Sequence, residues 1–325
     1  MTIFDVFNGD ADGICSLLQL RQAIPCESTL ITGIKRDIKL LGKVHANQDD
    51  EINVLDLSLD KNRPDLLRNL ANGARVFYVD HHFCGEIPDN PNLTTLIDTD
   101  ANICTSLLLN QYLHTIETVH TPHHLWAITG AFGDNLKASA QTLAKQHQLS
   151  THEREQLNSL GIYLNYNGYG ADTADLHFAP EQLFKKLLPY QNPLDFIQDP
   201  DSDYLILKSG YQNDNANAGN IKPEYQTDKI AVFIFPDETW ARRISGVYSN
   251  ELANQSPDRA HAVLTHNKQN GYVISVRAPL NNKTGADELC RQFESGGGRK
   301  AAAGINHLPK SELQTFIDKF SEQFK

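Results

Sequence analysis

The run Val76-Phe77-Tyr78-Val79, closed by Asp80-His81-His82, constrains the fold more than any other stretch of the chain. Its apolar residues are nearly continuous instead of alternating, as in strands of a parallel sheet covered on both faces. Around it, short β-rich runs trade places with segments of helical spacing. TIFDVF is followed by ICSLLQLRQAI, which stops near Pro25. STLITGI and INVLDLSL lead into PDLLRNLANG, which has Pro64 at an N-terminal position and Gly73 at its end. NLTTLIDT is a further strand, and TSLLLNQYL and HHLWAITGAFGD read as apolar helices. This alternation predicts an α/β fold built on a doubly wound parallel sheet.

From about residue 149 to 197 the pattern is helical, in HEREQLNSLGIYLNYNG and PEQLFKKLLPYQNPLDFI. The next segment, KSGYQNDNANAGNIKPEYQTD, is polar, rich in Asn and Gly, and reads as an extended connection. β character returns in KIAVFIF and in RAHAVLTHNKQNGYVISVRAP, which turns at Asn270-Gly271. RRISGVYSNELANQ, GADELCRQF and PKSELQTFIDKFSEQF read as helices. The expected organisation is a first domain over residues 1–197 (helical from about 150), a linker over 198–228 and a smaller α/β domain over 229–325.

The 325 residues carry a formal net charge of -11, which argues against a broad basic face for duplex DNA or an anionic membrane. A local basic pocket for a small anion is still allowed. Cys15, Cys26, Cys84, Cys104 and Cys290 are dispersed, without metal-ligand spacing, which fits reduced thiols in a cytoplasmic protein. No apolar run is long enough to span a bilayer, and no leader is evident.

Each distinctive acidic residue is read at the end of a predicted strand, or just beyond it. Asp10 and Asp12 in NGDADG follow the first strand, Asp56 closes INVLD, Asp80-His81-His82 close RVFYV, and Asp134 ends WAITGAFGD. In an open parallel sheet the carboxyl ends of the strands share one edge, where ligands bind. These groups, with Asn8 nearby, are therefore expected to converge. Hard oxygen ligands plus an imidazole suit Mn²⁺ or Mg²⁺. Such a set is large enough for two ions roughly 3.5–4 Å apart with a bridging carboxylate. Singly, each residue reads as an ordinary turn or cap. Asp5, inside a strand, is read as structural, and Asp98 and Asp100 as caps for the helix near Thr105.

NGDADG, VLDLS, VDHH and AFGDN, in that order, resemble the four motifs of the DHH phosphoesterase superfamily. ISVRAP and SGGGRKAAAG resemble the DHH-associated domain of its RecJ-type exonucleases and nanoRNases. The resemblance implies an active site in a cleft between two domains. It assigns Asp10 to one Mn²⁺ ion and Asp12 to the other, with Asp56 bridging them. His81 and Asp134 would complete the ligands of the second ion, and Mg²⁺ is the alternative metal. Asp80 would orient His81, and His82 would face the substrate phosphate. Asn8 stands where RecJ-type members have Asp, and so is a weaker ligand. Arg277, Gly296, Gly297, Gly298 and Arg299 would bind substrate phosphate, with Arg299 replacing the usual His and a helix expected over RKAAAG. Arg242-Arg243 and Lys35-Arg36 are weaker candidates for phosphate and read more often as surface charges. The implied activity is metal-dependent hydrolysis of short oligonucleotides or nucleotide phosphates. A RecJ-like exonuclease and a nucleotide-binding sensor are the alternatives, and a homodimer is left open.

Overall fold

Five parallel strands make the first sheet: β1 (Ile3–Phe7), β2 (Thr29–Ile31), β3 (Glu51–Leu55), β4 (Arg75–Asp80) and β5 (Leu93–Ile97). The computed structural model describes residues 1–116 and 123–325. The spatial order is β2-β1-β3-β4-β5. The chain leaves β1 toward one edge and returns on the other side to β3, so a switch point opens between the loops that follow these two strands.

Helices α1 (Ala11–Ala23), α2 (Leu59–Ala71), α3 (Thr105–Leu113) and α4 (His124–Gly133) follow the strands, with α5 (Lys137–Gln146), α6 (Thr151–Asn167), α7 (Pro180–Leu187) and α8 (Pro193–Gln198) beyond them. Ile52, Val54, Val76 and Tyr78 pack with Leu66 and Leu70 of α2 in one core, while Ala127, Ile128, Ala131, Leu157 and Leu194 form another. α1 is buried from Ala11 to Arg21, which explains why its sequence is apolar on more than one face. Inside it, Arg21 holds Asp5 through two hydrogen bonds of 2.7 and 2.6 Å, a structural use of the strand carboxylate. α2 begins at Leu59, so Pro64 lies inside the helix instead of at its start and forgoes one i→i−4 bond.

The chain divides into two compact units, Met1–Lys208 and Ser209–Lys325. The division falls within α9 (Tyr204–Gly219), a helix where the sequence suggests an extended connection. Its buried positions, Tyr204, Leu207, Asp214 and Ala218, follow helical spacing, but one is a carboxylate paired with Arg243 at 2.8 Å. That polar pair hides the helical period.

The second unit holds β6 (Tyr225–Gln226), β7 (Ile230–Phe235), β8 (Ala260–Asn267), β9 (Gly271–Arg277), β10 (Gly296–Gly298) and β11 (Ala302–Pro309), in the order β10-β11-β9-β8-β7-β6. Only β7 and β8 run parallel, joined by the crossover helix α10 (Thr239–Gln255). α11 (Ala286–Cys290) and α12 (Leu313–Gln323) bring Leu289, Phe316 and Phe320 against Ile274 and Ile305 of the sheet. The expected helix over RKAAAG is instead a turn at 299–301 and the start of β11, which pairs with both β9 and β10. All cysteines are free thiols. Among the described residues no helix is long and apolar enough to cross a membrane.

Candidate active site

The junction from β1 to α1 is a helix start more than a free turn. Asp10 is the N-cap of α1, and its Oδ1 accepts from the backbone N–H of Asp12 and Gly13 at 3.1 Å each. Gly13 is needed for close approach, since a Cβ there would lie 2.3 Å from the Asn8 carbonyl oxygen. Asp12 points away from its own helix. Its two oxygens accept from the backbone N–H groups of Thr105 and Ser106, both at 2.8 Å, at the start of α3. Asp12 therefore caps α3 from a distance of 93 residues in sequence. Asp98 and Asp100, expected to cap this helix, instead close Asx turns on Asp100 and Asn102.

Asp56 immediately follows β3 in the left-handed region, at φ 61, a conformation that Asp tolerates better than most residues. Its N–H donates to the Val79 carbonyl at 3.0 Å, and its Oδ1 accepts from Thr105 Oγ1 at 3.1 Å. Asp134 comes from a helix end, not a strand end. α4 closes with Asn135 at φ 61, Asn135 N–H on Phe132 O and Leu136 N–H on Ala131 O at 2.8 Å, which is a Schellman motif with Asn in the glycine position.

His81 and His82 divide their partners in a way the motif alone does not suggest. Asp80 is expected to orient His81, but its Oδ1 accepts from His82 Nδ1 at 2.7 Å. Residues two apart at a strand end face the same side, so Asp80 and His82 pair while His81 turns the other way. His81 is instead held through Nδ1, 2.9 Å from the Ile103 carbonyl. A carbonyl only accepts, so Nδ1 carries a hydrogen, and Nε2 faces three carboxylates. They are Asp56 Oδ1 at 3.3 Å, and Asp12 Oδ2 and Asp134 Oδ2 at 3.8 Å. His82 is more open, 29% exposed, with Nδ1 3.9 Å from Asp56 Oδ1.

Lys35 is no surface charge. It lies four residues past β2, whose carboxyl end shares the edge of β1, and its ammonium hydrogen-bonds Asp10 Oδ2. The same Nζ is 3.0 Å from Asn165 Oδ1, 3.9 Å from Asp134 Oδ1 and 5.4 Å from the Tyr169 ring centroid. Nothing in motif spacing marks this lysine, because its partners are 25 and 130 residues away. The place of β2 in the sheet is the only available signal.

The electrostatics follow from burial. Desolvation, reinforced by Asp10 and Asp12, pushes the Asp56 carboxyl well above the usual carboxylate value. Burial also raises Asp10, but the charge and hydrogen bond of Lys35 outweigh it and hold Asp10 below the usual value. Burial opposes the charge on Lys35, yet Asp10, Tyr169 and Asp134 outweigh it and raise its titration above that of an ordinary lysine. Asp80 is likewise kept low against burial by His82.

Two groups of donor atoms lie within 4.8 Å of one another among the described residues: Asp12, His81 and Asp134, and Asp56, His81 and His82. Buried carboxylates gathered around one imidazole repel one another unless a cation joins them, and this hard donor set fits a divalent ion such as Mn²⁺ or Mg²⁺. The Asn8 Oδ1 is also buried without a hydrogen-bond partner.

In the second unit Arg277 ends β9, with its guanidinium on Asn250 Oδ1 and on the Val276 and Gly246 carbonyls at 3.0 and 3.1 Å. Gly296, Gly297 and Gly298 form β10, paired with β11, and Arg299 follows at the turn with its N–H on Ala302 O at 2.8 Å. The glycines thus line a hairpin strand and not a helix N-terminus. Gly296 is fixed by packing, since a Cβ there would meet the Cys290 carbonyl oxygen at 1.8 Å.

Residues 227–325 match the DHHA1 domain family. The chain, over 99% of its length, shares its fold with exonuclease RecJ bound to manganese (17% identity, TM-score 0.62, 89% of that chain). It is similar over the same share to PggH from Vibrio cholerae, a pGpG-specific phosphodiesterase (14% identity, TM-score 0.55, 100% of that chain). Against RecJ from Thermus thermophilus in complex with Mn²⁺ (17% identity, TM-score 0.57) it spans 51% of that chain, about half its length. No curated protein sequence gives a significant match. Residues 227–325 thus match a DHHA1 domain, and the chain as a whole shares its fold with the RecJ and PggH structures.

Proposed function

We propose that the protein is a divalent-metal-dependent phosphoesterase that hydrolyses short oligonucleotides or nucleotide phosphates, with Mn²⁺ as its working ion. The observation that carries this reading is the position of His81 Nε2 among the carboxylates of Asp12, Asp56 and Asp134. Asp12, Asp56, His81 and Asp134 would hold the ion. A divalent ion there supplies charge neutralisation for a phosphoryl group and acidifies water for attack.

The chain's own groups do the rest. The Ile103 carbonyl and the α3 amides hold His81 and Asp12 in place, so the ligands need not reorganise when charge develops. His82, with Nδ1–H fixed on the Asp80 carboxylate, keeps Nε2 to exchange a proton with the substrate or the attacking water. Arg277 and the stretch from Gly296 to Arg299 supply donors for phosphate in the DHHA1 domain.

Short substrates are favoured by the net charge of -11, which disfavours long strands, and by the full-length likeness to a dinucleotide phosphodiesterase. The likeness to 89% of a RecJ chain supports a second reading, a single-strand exonuclease. The test compares Mn²⁺-dependent release of phosphate and mononucleotide from 3′-phosphoadenosine 5′-phosphate, a 5′-phosphorylated dinucleotide, a long single strand and polyphosphate. Turnover of the short substrates, lost in Asp134→Asn, is the expected result. Degradation of the long strand instead selects the exonuclease, and turnover unaffected by Asp134→Asn overturns the site.

A further inference from the structure

We propose that Lys35 takes the place of one of the two ions, so that the centre works with one divalent ion beside a built-in ammonium group. This rests on the metal-dependent reading above and goes beyond it. The DHH-type motifs imply two ions, one of them on Asp10, Asp56 and the residue at position 8. In this structure Asp10 is otherwise engaged at both oxygens, Asp56 faces His81, and position 8 offers only a neutral amide oxygen. Asp10 Oδ1 caps α1, and its Oδ2 is hydrogen-bonded to Lys35. Asn8 turns its amide nitrogen to the Lys35 carbonyl at 3.3 Å, a bond that an aspartate at this position could not donate.

Lys35 is held from both ends, unlike a surface lysine that has swung inward. Its own N–H donates to the Gly168 carbonyl at 2.8 Å, while its carbonyl accepts from Asn8. Its ammonium meets Asn165 Oδ1 at 3.0 Å, and Asn165 is only 1% exposed. The Tyr169 ring lies beneath it at 5.4 Å, in cation–π range. Asn165, Gly168 and Tyr169 all come from the end of α6 and the residues just after it, so one element builds the cradle.

The remaining ligands gather elsewhere. Asp12, Asp56 and Asp134 surround His81 Nε2, and Asp10 belongs to neither group of converging donors. A carboxylate oxygen that hydrogen-bonds an ammonium cannot also hold a divalent ion without pressing two cations together. The departures at positions 8 and 35 thus have one explanation: the asparagine fixes the lysine, and the lysine neutralises the acids. Asp10 and Asn165 engage two of the three ammonium donors, which leaves the last for a phosphoryl oxygen. Lys35 can neutralise that oxygen but cannot acidify a water, so only the ion at His81 does so.

The experiment is equilibrium dialysis with Mn²⁺, read with the electron paramagnetic resonance of the bound ion. The full chain is compared with Lys35→Arg and with the double substitution Asn8→Asp/Lys35→Gln. Wild type and Lys35→Arg should each hold one uncoupled Mn²⁺, and the double variant two that are spin-coupled. Two coupled ions in wild type or in Lys35→Arg overturn the role of Lys35 and leave the phosphoesterase reading standing. A folded double variant that stays at one ion also overturns it. If the double variant does not fold, the counts for wild type and Lys35→Arg decide alone. Absence of Mn²⁺ uptake by wild type overturns both readings.

Discussion

At the scale of single residues, the pairing of Asp80 with His82 gives a direct expectation. Asp80→Asn keeps an acceptor for the imidazole but removes the charge that fixes it. Turnover should fall on the order of 10–100-fold while Mn²⁺ affinity is retained, because His81, the proposed ligand, is held by the Ile103 carbonyl. Steady-state kinetics beside Mn²⁺ titration separates the two effects. Far from this site in sequence, His261 on β8 is buried, and desolvation, aided by Arg259, pushes its pKa down to about 4. Between its ordinary 6.5 and that value the unfolded chain binds a proton that the folded chain refuses. Stability from this group is therefore full above its ordinary value and is lost as pH falls, by about 2 kcal/mol between about pH 7 and about pH 5. Urea unfolding at the two pH values should show that His261→Gln removes this part of the slope.

At the scale of elements, the site depends on how closely α1, α4 and α6 approach. A Cβ on Gly133 would lie 2.3 Å from Ala11 Cβ and 2.7 Å from the Gly161 carbonyl oxygen. Gly133→Ala should cost about 1–3 kcal/mol in urea unfolding. It should also lower turnover, since Asp134 is the next residue. Ser150 and Glu153 form a capping box on α6, and Ser150→Ala should cost about 1 kcal/mol by the same measurement. Much of this framework is legible in the sequence. β4 is a nearly continuous apolar run, as a parallel strand covered on both faces should be, and β1, β3 and β5 are short β-rich runs around it. α9 is not legible, because its buried face includes the Asp214–Arg243 pair. The glycine run misleads for the opposite reason: glycine fits a helix-start nest and a hairpin strand equally, and only the pairing with β11 decides. Lys35 is illegible because its meaning lies in contacts across β2, α1 and α6, not in any local pattern.

At the scale of the molecule, the converging ligands all belong to the first of two compact units. Mn²⁺ at about 100 times its Kd should add about 2.7 kcal/mol to the stability of that unit alone. In calorimetry one transition should move with chelator and the other stay, and Asp134→Asn should abolish the movement. Asp12, however, stands apart from the other ligands, because both its oxygens hold the first amides of α3. A descendant of this chain that had abandoned hydrolysis would still need that aspartate in order to fold. Asp134 turns its carboxylate toward His81 and Lys35, the groups of the proposed reaction, and would be released to drift. Among relatives, then, a surviving Asp12 testifies to ancestry, whereas a surviving Asp134 testifies to use.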